Sequence, residues 1–249
     1  MRVTVHTHAA IALKSRLVTA IRKIGDSIKR RWLRRNIEYI PAFVILLQSD
    51  EERCIHVYSH LIRDMPFCNV VWAIEKNEVG SFLEKEQIVV PETLPLGKLA
   101  CSASHIKVWN EIIIRQLPYA IVFEDDVSIR PGFISFIHEL IKQIPSDFDL
   151  VHLYVSDPDG KWAKRACAAN RTYLSYIPSW GRSAYLVSYS GAEKLVSGFK
   201  TITDFGDRQI TTMARQGHLK VYCAGKAYVD NWGQLVAEFE GERLRSTVW

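Results

Sequence analysis

Short unbroken apolar runs alternate along this chain with longer stretches in which apolar residues return every three or four positions, a pattern that predicts an α/β fold. "AFVILL" (Ala42 to Leu47) has strand length, and the polar turn after it opens a helix predicted from Glu51. "NVVWAI" (Asn69 to Ile74) predicts a second strand, after which Pro91, Pro95 and Gly97 mark a loop. Ile106, Trp109, Ile112 and Ile113 stripe one face of a helix, with Ser102 or Ser104 available as its N-cap. Pro118 leads into "YAIVFEDD", whose apolar part predicts a central strand buried on both faces. Pro131 stands at the first position of the next helix, which turns Phe133, Ile134, Ile137, Leu140, Ile141 and Ile144 inward. "FDLVHLYV", "SAYLVS" (Ser183 to Ser188) and "LKVYC" predict further strands, the last closing the sheet. Ser190 and Glu193 have capping-box spacing before a helix ended by Gly198, and a final helix from Arg208 to Gln216 stops at Gly217.

With 249 residues, 48% of them hydrophobic, the chain can bury a sizeable core. Its charge changes the picture near residue 40. The net charge of +5 conceals a head, residues 1 to 36, with ten basic residues and one acid, and a mildly acidic remainder. A uniformly basic chain would suggest nucleic acid; a basic head on an acidic body predicts instead one segment that meets an anionic surface, and no nucleic acid. Leu17, Ile21, Ile24, Ile28 and Trp32 stripe one face of that head while Lys and Arg fill the other. We therefore divide the chain into a basic amphipathic segment, 1–40, and a single α/β domain, 41–249. The expected setting is cytoplasmic, peripheral on the inner face of the cytoplasmic membrane. The five cysteines have neither disulfide-framework nor zinc-site spacing and are read as reduced thiols, in keeping with that side.

The most informative stretch is "YAIVFEDDVSIRPGF", where a strand built for burial ends in Glu124, Asp125 and Asp126. In open α/β sheets ligands bind beyond the carboxyl ends of the strands, so these acids are delivered to that edge. On an extended chain Glu124 and Asp126 project to one side and Asp125 to the other. Two like charges on one side call for a cation. Mg²⁺ or Mn²⁺ suits oxygen ligands and completes its shell with water and phosphates. Such an ion offsets charge on a departing diphosphate.

At these residues the chain resembles glycosyltransferase family 25, whose members carry an "EDD" element. "FVILLQSDEER", "LGKLACSASHIKVWNEI", "YAIVFEDDV" and "SWGRSAYLVSYSGAEKL" follow the family's order and spacing, with Arg53, Cys101, Ser104, His105 and Trp109 in matching places. Leu46, Gln48, Lys98 and Ala100 depart from its usual residues. The resemblance, over most of residues 42 to 230, implies a GT-A-like nucleotide-sugar fold with a mixed, mostly parallel central sheet flanked by helices. It also implies a UDP-sugar donor, inversion at the sugar carbon, and galactose transfer to a lipooligosaccharide or other glycan acceptor.

An inverting transfer needs a carboxylate to take the acceptor hydroxyl's proton, and Asp204 and Asp207 are the candidates, with Asp207 preferred; both also have the spacing of a cap and its third helical residue. Glu124 and Asp126 are the metal candidates. Arg53 and Arg182 are candidate phosphate contacts, Asp125 a further donor-site residue, and Trp180 a ring for a sugar face. His105 either touches the diphosphate or orders its loop by a buried hydrogen bond. His56 and His60, one helical turn apart, read best as a solvated helix surface, and His218 as a turn residue. Two other readings compete: metal-dependent phosphoester hydrolysis, which wants more ligands than the sequence supplies, and a catalytically silent sugar-binding protein.

Overall fold

The computed structural model of the chain describes residues 39–90, 94–155, 171–175, 177 and 181–231. Residues 1–38, which carry the predicted basic helix, and Trp180 lie outside them. The parallel half of the main sheet is built from β1 (Ala42–Leu46), β2 (Cys68–Trp72) and β3 (Tyr119–Glu124), with β1 in the middle. Next in the chain come β4 (Val127–Ile129), β5 (Leu150–His152), β6 (Tyr173–Leu174), β7 (Ala184–Ser188), β8 (Val221–Ala224) and β9 (Val229–Asn231). The seven-stranded sheet runs β2-β1-β3-β7-β5-β8-β6, while β4 and β9 pair separately as an antiparallel ribbon. β7 lies antiparallel between β3 and β5, and parallel pairing returns at β5 and β8. The expected mixed α/β sheet is thus observed, its pairings divided evenly between parallel and antiparallel.

The helices are α1 (Glu51–His56), carried by a π-helical turn at Val57–Leu61 into α2 (Ile62–Asp64), then α3 (Val79–Lys85), α4 (Leu96–Ile114), α5 (Phe133–Gln143), α6 (Tyr189–Gly198) and α7 (Gly206–Arg215). They form two layers. Phe43 and Ile45 of β1 and Ala120 and Val122 of β3 share one core with Trp109 and Ile112 of α4, Leu195 of α6 and Ile210 of α7. Val44 and Leu46, with Ile121 and Phe123, share the other with Val57 and Leu61 and with Phe133, Ile137 and Leu140 of α5. Every residue of β1 and most of β3 is therefore buried, which is why both read as unbroken apolar runs. Each such aliphatic or aromatic side chain adds about 1.5–3 kcal/mol through burial.

Four local expectations change. α4 begins at Leu96, because Leu99 and Ala100 extend its buried face past the predicted caps. Ser104 then bonds inside the helix layer, donating to the Ala100 carbonyl and accepting from the Ile74 amide. α5 starts at Phe133, after Gly132 at φ 88°, so Pro131 belongs to the turn. α6 is capped by Ser188, whose oxygen accepts from the Gly191 amide, and Ser190 turns instead to Asp149. β8 is interior, with β6 as the edge.

Candidate active site

Strand alternation decides the fate of the first two acids. Glu124 ends β3 on the face covered by α4, and Asp125 turns to the face covered by α1 and α5. Each meets a basic partner from its own layer.

On the α4 side the partner is His105, whose Nε2 lies 3.0 Å from Glu124 Oε1. Trp109 Nε1 can only donate, and it donates to Tyr185 Oη at 2.8 Å. The tyrosine proton therefore goes to His105 Nδ1, 2.8 Å away, which leaves the imidazole proton on Nε2, directed at Glu124. Ser183 Oγ donates to the other carboxylate oxygen at 3.1 Å. Burial keeps His105 neutral, pushed down to about 4. Burial alone would raise Glu124; the bonds from His105 and Ser183 and the charge of Arg182 overcome it and hold the carboxyl down at about 2.

Arg182 completes this cluster. It follows Gly181, whose φ of 116° only glycine adopts easily, and it is 8% exposed. Its Nη2 donates to Cys101 Sγ at 2.8 Å and its Nε lies 4.0 Å from Glu124 Oε1, while Nε and Nη1 have no hydrogen-bond partner among the described residues. Burial opposes its charge, but the carboxylates of Glu124 and Asp207 keep it protonated. The Cys101 thiol is pushed up to about 12 by burial. Ligand atoms of Cys101, His105 and Glu124 lie within 4.8 Å of one another, the spacing of a metal site. Two features weigh against an ion there: the Nε2 lone pair is not available while that nitrogen donates to Glu124, and the guanidinium already supplies positive charge.

On the α1 side Asp125 is fully buried. Its Oδ2 accepts from the Leu47 amide at 3.2 Å and its Oδ1 pairs with Arg53, which also reaches Asp50 at 3.5 Å. Burial pushes Asp125 up to about 7 against the pull of Arg53. Two residues expected to touch the donor thus hold each other, tying α1 to the end of β3. Asp125 and Asp126 form a turn, so strand alternation does not carry on to Asp126. The half-buried Asp126 carboxylate feels Arg53, Asp125 and Tyr154, a different set of neighbours from that of Glu124.

The base candidates flank the start of α7. Phe205 is its N-cap and provides no side-chain bond, so Asp204 is not the cap. Asp204 Oδ1 accepts from the Phe205 amide at 2.7 Å and pairs with Arg208 at 3.6 Å. Asp207 lies in the first turn, accepts from the Arg208 amide at 3.0 Å, and is close enough to Arg182 to favour its charge. Gly206 packs on the guanidinium so closely that a Cβ there would overlap it.

His56 departs from expectation. It is buried, with Nε2 2.8 Å from the Val127 carbonyl, and it stacks on His60 at 4.9 Å because the β4–β9 ribbon covers this helix. His218 is exposed after Gly217, as a turn residue. The sequence reading missed Tyr185, Ser183 and His152. His152 ends β5 beside Tyr185, bonds to the Gly181 backbone, and is pushed down to about 4 by burial. A histidine closing the apolar run "FDLVH" was the available signal.

A family model described as glycosyltransferase family 25 (LPS biosynthesis protein) matches residues 39–210. Human procollagen galactosyltransferase 2 is 32% identical over 108 residues, 41% of this chain and 17% of that protein. The mouse inactive glycosyltransferase 25 family member 3 is 28% identical over 175 residues, 62% of this chain and 28% of the relative. The chain thus spans less than a third of the length of these curated relatives. Mouse xyloside xylosyltransferase 1 aligns at a TM-score of 0.33 with 9% identity, over 71% of this chain and 69% of that one, a likeness too slight to bear on the fold.

Proposed function

The chain belongs to glycosyltransferase family 25, and from that premise we propose that it moves galactose from a UDP-sugar to a hydroxyl of a lipooligosaccharide or similar glycan, with inversion. Relatives named procollagen galactosyltransferases support the sugar, and the family's description supports the acceptor class. The observation that carries the reading is the acidic tip of β3, set between Arg53 and Arg182 at the carboxyl edge of the parallel strands.

The acceptor oxygen forms its bond to the sugar carbon as the bond to the diphosphate breaks, and its proton passes to Asp207. Asp207 is preferred over Asp204 because its charge favours that of Arg182, whereas Asp204 is paired with Arg208. Glu124 is ionised and engaged on both oxygens, which suits it to hold Arg182 in place. Of the two metal candidates, Asp126 suits a hard divalent cation better, since both oxygens of Glu124 already accept hydrogen bonds. Mn²⁺ or Mg²⁺ bound there would offset charge on the departing diphosphate. The basic segment 1–40 would hold the enzyme on an anionic inner-membrane surface, near a lipid-linked acceptor.

Relatives whose names call them inactive favour a second reading, a sugar-binding protein without turnover. UDP release with an oligosaccharide acceptor separates the two. For Asp207→Asn we expect transfer to fall at least ~100-fold with donor binding retained, as for loss of a general base. Asp204→Asn should keep most activity. The reverse order would reassign the base.

A further inference from the structure

We propose that His56 is a positioning residue for Asp126, completing a clamp by which α1 holds the acidic turn from both sides. The importance of that carboxylate rests on the glycosyl-transfer reading above. Arg53 and His56 are one helical turn apart on α1 and so share a face. Arg53 pairs with Asp125, the residue before Asp126, and His56 Nε2 meets the carbonyl of Val127, the residue after it, at 2.8 Å. One turn of helix thus secures both neighbours of Asp126. The clamp supplies what the sheet does not. Glu124 makes the last ladder bond of β3, from its amide to the Ser183 carbonyl at 2.8 Å, and β4 pairs with β9 outside the main sheet.

The choice of a histidine fits this task. At 3% exposed, beside the core residues Val57 and Leu61, a side chain that only filled space would be apolar. A carbonyl oxygen can only accept, so the proton of the imidazole sits on Nε2, and burial disfavours a second one. The turn is therefore tied by a neutral donor, which adds no positive charge for a cation at Asp126 to oppose. Ser128 Oγ, 3.5 Å from the same nitrogen, is the weaker contact. His60 stacks on the ring at 4.9 Å and fixes its plane. Its own Nδ1 donates, because Ser59 Oγ, 2.9 Å away, gives its proton to the Ile55 carbonyl at 2.6 Å. Directly after His56 the helix changes from α to π geometry, an irregularity that is rare and concentrated at functional sites.

The test combines hydrogen exchange over residues 124–129, Mn²⁺ affinity measured by electron paramagnetic resonance without any sugar nucleotide, and UDP release. His56→Leu should speed exchange in that segment about tenfold. It should also weaken Mn²⁺ about tenfold, as when the group that orients a metal ligand is lost. His56→Gln, whose amide nitrogen can take the place of Nε2, should restore most of both. Leu140→Ala opens a cavity in the same core and should lower Tm while leaving both readouts as in wild type. Nitrogen NMR of wild-type His56 should show the Nε2–H tautomer, and it decides the matter should His56→Leu fail to fold. A proton on Nδ1, unchanged exchange in His56→Leu, or His56→Gln as impaired as His56→Leu overturns the clamp. Faster exchange with Mn²⁺ affinity unaltered keeps the clamp and removes the metal from Asp126. A His56-dependent Mn²⁺ site in a protein that releases no UDP keeps the clamp and loses the transferase reading.

Discussion

His105 Nε2 lies 3.0 Å from Glu124 Oε1, and the proton on that nitrogen is fixed by Tyr185, one hydrogen bond further along the same buried chain. Tyr185→Phe keeps the volume but leaves His105 Nδ1 and Trp109 Nε1 without their shared partner. We expect a loss of about 1–3 kcal/mol in urea unfolding. Trp109→Phe added to it should cost less than the sum of the two single changes, because both act on one chain.

Arg53 and Asp125 give a second prediction. Removing either partner strands a charge or a carboxyl in the interior, so Arg53→Met should destabilise by about 3–5 kcal/mol. Arg53→Met with Asp125→Leu should recover most of that loss. Chemical denaturation of Arg53→Met, Asp125→Leu and the double variant checks this, and equal losses in the single and double variants would mean that the pair does not join α1 to β3.

Acid should destabilise the fold before the carboxylates titrate. Burial holds His105 and His152 down to about 4, and lowers His56, from an ordinary 6.5. The unfolded chain therefore takes up protons below 6.5 that the folded chain refuses until about 4, and stability is lost as pH falls through that window. Asp125, raised to about 7, acts in the opposite direction between 3.8 and 7, one group against three. The urea midpoint should be lower at pH 5 than at pH 7, and His152→Gln should flatten the difference.

The basic segment is tested on membranes. Deleting residues 1–36 should release the protein from anionic vesicles in co-sedimentation and spare activity on a soluble acceptor. Equal sedimentation of both forms would remove the membrane role.

What the sequence made legible follows from which interactions are local. β1, β3 and α5 were readable because burial on one or both faces imposes a period on neighbouring residues, and the stop at Gly217 because its φ of 78° favours glycine. The opposite directions of Glu124 and Asp125 came from the same period. It failed one residue later, at Asp126, where strand gives way to turn. Arg53 and Arg182 stood out as cations, but their partners Asp125 and Cys101 are 72 and 81 residues away, and no local pattern pairs them. His152 and Tyr185 were hidden for the same reason, as polar atoms inside apolar strands that acquire meaning only when β5, β7 and α4 converge. The start of α4 was missed because polar Lys98 and Ser102 interrupt its first turns.

The most direct test of the account is UDP release from UDP-galactose with an oligosaccharide acceptor and Mn²⁺, for wild type and Asp126→Ala together, with thermal unfolding measured on both. The account predicts turnover by wild type and its loss in Asp126→Ala at an unchanged Tm. Absence of turnover with every UDP-sugar, or wild-type turnover by Asp126→Ala, would contradict it.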